Sequence, residues 1–137
     1  MILDTSALMA VLFKERDFET FGHAMTRADQ VAISAATLVE ATIVVTGRDG
    51  DQGAVDLRGF LDELGAEVVP VTERAAQFAV EGWRRFGKGR HEAALNFGDC
   101  FAYALAKSLD APLLFKGEDF ARTDIVPAWR PPDQAGP

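Results

Sequence analysis

The sequence predicts an α/β protein with a parallel central sheet of four or five strands and helices on both faces. Three observations predict it. Short apolar runs alternate with longer stretches of helical periodicity along most of the chain. Strands separated by helices favour parallel pairing, because a parallel neighbour needs a long crossover. The 137 residues, 48% hydrophobic and 26% charged, have an ordinary globular composition. They show no internal repeat and no domain boundary, so residues 1–129 read as a single domain and 130–137 as a Pro/Gly-rich disordered tail.

Each element has a local reason. "MIL" (1–3) is a short strand ending at Asp4, and Ser6 can cap a helix running to about Lys14. Residues 17–28 carry Phe18, Phe21 and Met25 at helical spacing. "VAI" (31–33) is a strand, with Ser34 as the next cap. Residues 35–48 are apolar on almost every side, as a buried helix would be. Residues 52–64 form a surface helix that stops at Gly65. "EVVPV" (67–71) is a strand, and Thr72 opens a helix to about Phe86. Residues 87–98 read as a loop, 99–110 as a helix, 112–115 as a strand and 124–126 as a short final strand. The opening residues do not read as a signal peptide, and no uncharged apolar run approaches the ~18 residues of a membrane span. With Cys100 as the only cysteine, no internal disulfide is available. A soluble cytoplasmic protein, without membrane association, is the expectation.

Three acids stand out by their isolation. Asp4 is the only charge in "MILDTSALMAVLF", Glu40 in "AATLVEATIVV" and Asp99 in "AALNFGDCFAYALA", setting aside Lys14 just beyond the first run. A lone carboxylate in an apolar segment is costly unless hydrogen bonds or a cation compensate it. Asp4 and Asp99 could each cap the helix that follows, whereas Glu40 lies inside a helix. A fourth acid is offered by "GEDFARTD", where Glu118, Asp119 and Asp124 are all candidates. Sites in parallel sheets gather at the carboxyl ends of strands, where Asp4 and the 116–120 loop both fall. Carboxylates converging there would repel one another, and a divalent cation removes that conflict. Oxygen donors suit Mg²⁺ or Mn²⁺. Two histidines without ligand spacing and a single cysteine argue against zinc. "GRDGDQG" lacks the ending of a P-loop, no G-x-S-x-G elbow occurs, and His91 reads as an exposed residue. A carboxylate-held metal is suited to hydrolysing phosphate esters and phosphodiesters.

The net charge of −7 speaks against loose, charge-driven binding to nucleic acid. One stretch runs the other way. "WRRFGKGRH" (83–91) contributes Arg84, Arg85, Lys88 and Arg90 with no acid, and leads into the Asp99 segment. It is a candidate phosphate-contacting patch.

"MILDTSALMAVLF", "SAATLVEA", "LNFGDCFAYALAK" and "PLLFKGEDFARTDI" resemble, in order and spacing, the motifs of PIN-domain ribonucleases, most closely the VapC-type toxins of bacterial toxin–antitoxin pairs. The resemblance extends to about Ile125. It implies a PIN-like fold, Mg²⁺- or Mn²⁺-dependent endonucleolytic RNA cleavage, a homodimer and a cognate VapB-type antitoxin. It places the acidic site on Asp4, Glu40, Asp99 and Asp119, as catalytic residues and metal ligands. Asp119 is preferred to Glu118 because the family's acid precedes the Phe, as in "EDF". Ser6 fills the family's hydroxyl position, with Thr5 beside it, and Asn96 is a candidate to orient the site. These three, with Arg84, Arg85 and Arg90, are the expected substrate-binding residues. Phe13, Phe18 and Phe21 are candidates for the antitoxin groove, against a likelier place in the core. Two rivals remain: a non-catalytic interaction module of the same fold, and a receiver- or phosphatase-like Mg²⁺ domain. The second lacks the phosphate-accepting Asp, since strands 31–33 and 67–71 end in Ser34 and Thr72.

Overall fold

A computed structural model describes residues 1–132; residues 133–137, most of the expected tail, lie outside the described residues. Four strands form one parallel sheet: β1 (Ile2–Leu3), β2 (Ala32–Ser34), β3 (Glu67–Val69) and β4 (Leu113–Leu114). Five helices connect or flank them: α1 (Thr5–Leu12), α2 (Phe18–Arg27), α3 (Ala35–Glu63), α4 (Glu73–Phe86) and α5 (Phe97–Ser108). The strand order is β3-β2-β1-β4. The chain first builds outward from β1 on one side, then crosses back to place β4 on the other. That reversal makes the β1/β4 boundary the topological switch point, where parallel sheets open a crevice at their carboxyl ends.

Alternation along the strands assigns neighbouring residues to opposite faces. Ile2, Ala32 and Leu113 join a core with Ala79, Phe86, Tyr103 and Leu105 under α4 and α5. Leu3, Ile33 and Leu114 join a second core with Leu8, Phe21, Leu57 and Leu61 under α1, α2 and α3. The register pairs Ile2 with both Ala32 and Leu113, so each face receives a matched row. Helices therefore cover both faces, as the sequence predicts.

Four local expectations change. Asp4, not Ser6, caps α1, accepting from the Ser6 backbone N–H, because α1 already begins at Thr5, directly after the strand end. The stretches 35–48 and 52–64 are continuous but for a break at Gly50 (φ 68°, ψ −159°), a backbone conformation that glycine adopts without strain. α5 begins at Phe97 with Asn96 as its cap, so Asp99 lies in the first turn. Residues 124–126 form no strand: the segment meets the sheet at a single bridge, Leu113 with Pro127.

Candidate active site

Asp4 follows the last residue of β1, at the switch point, and is 4% exposed. Its Oδ2 accepts from the Ser6 backbone N–H (3.0 Å) and from Ser6 Oγ (2.6 Å). Ser6 Oγ in turn accepts from the backbone N–H of Lys116, just past β4 (3.0 Å). One serine thus ties the β1–α1 turn to the loop carrying the fourth acid, 110 residues away. Lys116 itself reaches Glu15 (3.4 Å).

Glu40 projects from the second turn of α3, and its Oε1 accepts a short hydrogen bond from Thr5 Oγ1 (2.5 Å). Its Oε2 lies over Gly98 so closely that a Cβ at that position would overlap it. The first turn of α5 therefore presses its backbone against Glu40, one residue before Asp99. Asp99 itself sits in a capping box: Asn96 Oδ1 accepts from the Asp99 N–H (2.9 Å) and Asp99 Oδ2 accepts from the Asn96 N–H (3.0 Å).

The four acids share an electrostatic field. Burial pushes the Asp99 carboxyl up to about 6; the Asn96 hydrogen bond opposes the rise, and the charges of Asp4, Asp119 and Glu40 add to it. Burial also raises Asp4 above the usual carboxylate range, resisted by its bonds from Ser6 and helped by the charge of Glu40. Asp99 thus feels the charges of Asp4, Glu40 and Asp119, which come from segments far apart in sequence. Asp124 goes elsewhere. It accepts from Tyr103 Oη (2.9 Å), Lys107 Nζ (2.9 Å) and Arg85 Nη1 (3.1 Å), an anchorage joining α4, α5 and the segment after β4. Burial would raise its carboxyl, but Lys107, Tyr103 and Arg85 together hold it below the usual range.

The donor set fits a hard divalent cation bound through few protein oxygens and several waters. Among the described residues, no three Asp, Glu, His or Cys side chains form a ready-made metal cage. Instead Asp4, Glu40 and Asp99 each accept from a local donor. Carboxylate oxygens without histidine or cysteine partners suit a cation that retains much of its hydration, and not a closed zinc site.

Of the substrate-binding candidates, Ser6 and Thr5 are hydrogen-bonded to catalytic candidates, and Asn96 caps the helix bearing Asp99. Arg85 is committed to Asp124, while Arg84 and Arg90 are exposed. His91 is half-buried rather than exposed; its Nδ1 accepts from the Ala93 N–H (3.0 Å), and its ring meets Phe86 edge-on. Phe21 is core, Phe18 is half-buried and Phe13 lies under the Arg48 guanidinium (4.0 Å). Sequence reasoning missed Gly98 and the backbone of Lys116. A glycine directly before an isolated acid was the available signal for the first; nothing local signals the second.

An acidic cluster at the switch point of a helix-covered parallel sheet defines a class of metal-dependent α/β hydrolases. The PIN domain family profile matches residues 1–126, and the chain belongs to that family. Within it the chain stands among the VapC ribonucleases. It is 45% identical over 127 residues to Ribonuclease VapC30 of Mycobacterium tuberculosis, covering 92% of this chain and 96% of that one. It is 44% identical over 126 residues to Ribonuclease VapC of Mycolicibacterium smegmatis, covering 92% and 98%. The fold matches the crystal structure of Mycobacterium tuberculosis VapC20, a sarcin-ricin loop cleaving toxin, with a TM-score of 0.77 at 20% identity over 95% of this chain and 98% of that one. It also matches VapBC2 from Rickettsia felis, solved with a promoter DNA fragment, with a TM-score of 0.72 at 17% identity over 92% and 94%. Enzymes of this family are metal-dependent nucleases. Among the described residues, no helix is long and apolar enough to cross a membrane.

Proposed function

We propose that this VapC ribonuclease is the toxin of a toxin–antitoxin pair and hydrolyses RNA phosphodiester bonds at the Asp4–Glu40–Asp99–Asp119 cluster, with Mg²⁺ as its cation and Mn²⁺ as a substitute. The observation that supports this site is the raised carboxyl of Asp99, buried at the first turn of α5 and repelled by the charges of Asp4, Asp119 and Glu40. Asp4 and Asp99 are the principal ligands, directly or through water, and Asp119 holds the outer shell or a second ion. When bound, the cation neutralises the carboxylates and stabilises charge on a phosphoryl oxygen.

The chain's own residues do the rest. Glu40, fixed between Thr5 and Gly98, orients the attacking water and accepts its proton as the new P–O bond forms. The P–O3′ bond breaks in line, and the 3′-oxygen takes a proton from solvent, leaving 5′-phosphate and 3′-hydroxyl ends. Ser6 keeps Asp4 aligned with the 116–119 loop, and Asn96 holds the turn bearing Asp99. Thr5, Ser6 and Asn96 border the substrate, while Arg84 and Arg90 belong to a basic patch that meets the RNA. Arg85, anchored to Asp124, contributes more to shape than to RNA. The functional unit is a homodimer controlled by a VapB-type antitoxin in the cytoplasm; relatives of the same fold include a toxin–antitoxin complex from Klebsiella pneumoniae.

The test is cleavage of structured RNAs by purified protein freed of antitoxin, with Mg²⁺ and with EDTA. Cleavage should require the metal and fall at least about 100-fold in Asp4→Asn and Asp99→Asn. Well-folded protein that leaves tRNA and rRNA intact under all these conditions would point to a non-catalytic module.

A further inference from the structure

Trp83 lies near the end of α4, 44% exposed, a large aromatic left open to solvent. The Arg90 guanidinium lies over its ring, 4.8 Å from the centroid. Arg90 is not free to wander, because its Nε donates to the Arg84 carbonyl at 3.1 Å, closing the last turn of the helix. The pyrrole edge of Trp83 (Cδ1 and Nε1) is seated on Gly87, where an added Cβ would collide with the indole. Indole and guanidinium are therefore held together as an aromatic–cationic pair before any ligand arrives. Arg84 and Lys88 flank it, both exposed and in no ion pair among the described residues.

Its position is equally specific. Lys88 N–H donates to the Leu95 carbonyl and Leu95 N–H to the Phe86 carbonyl, each at 2.9 Å. This short ladder fastens the end of α4 beside the residue preceding Asn96, the cap of the helix that carries Asp99. Two backbone bonds thus tie the end of α4, which carries the aromatic–cationic pair, to the segment that leads into the Asp99 helix.

We propose that Trp83 and Arg90 form a stacking platform for an unpaired RNA nucleobase, with Arg84 and Lys88 contacting the phosphates on either side. This rests on the ribonuclease reading and deepens it, because it gives the enzyme a preference for single-stranded segments. A base inside a duplex has both faces covered, whereas a looped-out base offers a face to an aromatic or guanidinium plane. Stacking of this kind tolerates any base. Pinning Arg90 in advance lowers the ordering cost of binding. Basic flanks give the patch, on a chain of net charge −7, a local field that complements a phosphate chain.

The experiment measures binding of a short single-stranded RNA and of a duplex of equal length, in EDTA so that neither is cut, over a range of salt. A Trp129→Phe background leaves Trp83 as the only tryptophan, and its emission should quench as single-stranded RNA binds. Trp83→Ala should weaken single-strand binding about 5- to 100-fold, leave duplex binding unchanged and keep the salt slope of the parent. Trp83→Tyr should restore most of the affinity, and Trp83→Leu should not, which separates stacking from loss of bulk. Arg84→Ala with Lys88→Ala should instead reduce the salt slope by roughly 0.7 per lost phosphate contact. The platform is overturned if Trp83→Ala and Trp83→Leu bind single strands like the parent, if duplex and single strand weaken alike, or if Trp83 emission ignores saturating RNA. Absence of Mg²⁺-dependent cleavage with intact Trp83-dependent binding would sink only the catalytic reading.

Discussion

Glu40 is held by two uncharged residues, Thr5 and Gly98. Thr5 fixes one oxygen by a 2.5 Å hydrogen bond, and Gly98 leaves room for the other. Gly98→Ala is therefore a selective lesion. The new methyl must push Glu40 away, while alanine in the first turn of α5 gains about 1 kcal/mol of helix propensity over glycine. Thermal stability should stay near that of the parent, and kcat should fall about 100-fold, the scale of a misplaced reacting group, with KM little changed. Steady-state cleavage kinetics beside a melting curve reads both. A Gly98→Ala enzyme with parental kcat would show that Glu40's placement over α5 is immaterial. The isolation of Asp4, Glu40 and Asp99 in apolar segments was legible in the sequence, because an uncompensated buried charge is expensive wherever it occurs. Gly98's role was not, since it depends on a helix packed against it from 58 residues earlier in the chain.

At the scale of elements, the caps were readable and the long-range ties were not. Ser34 and Thr72 cap α3 and α4 as their side chains suggest, each bonding a backbone N–H of the first turn. The fate of Arg85 could not be read locally. Its partner Asp124 lies 39 residues on, and only the packing of α4 on α5 brings them together. That anchorage has a pH signature. Asp124's carboxyl is held below its ordinary value in the fold, so it contributes stability above the unfolded pKa of 3.8 and loses it as pH falls through the lower folded value. Asp124→Asn should cost about 1–2 kcal/mol at neutral pH, allowing for partial exposure of the pair. Its melting temperature should converge on the parent's as the pH falls below 3.8 and through the lower folded value. An unchanged gap across the whole acid range would show that the ion pairs contribute nothing.

For the whole molecule, the architecture was legible because alternating runs and helices leave a parallel sheet few alternatives, and the strand order then fixes which ends meet. What the fold assembles there is a concentration of negative charge that opposes folding in the absence of a cation. The sign follows from Asp99, raised from 3.8 to about 6: its proton is bound more tightly in the folded state, so the metal-free protein gains stability as pH falls from about 6 toward 3.8. A cation that binds only the folded, deprotonated cluster reverses this. At 100 times its dissociation constant it adds about 2.7 kcal/mol, which for a chain of this size raises the melting temperature by roughly 8–14 °C. Mg²⁺ should therefore stabilise the protein strongly near pH 7.5 and progressively less below about pH 6, where Asp99 holds a proton in competition. Asp99→Asn should abolish most of the shift, and Arg84→Ala should retain all of it. Melting curves with and without Mg²⁺ across that pH range decide the matter without any RNA present. A shift of equal size in the Asp99→Asn protein, or one that grows as the solution is acidified, would mean that the ion binds somewhere other than the switch point.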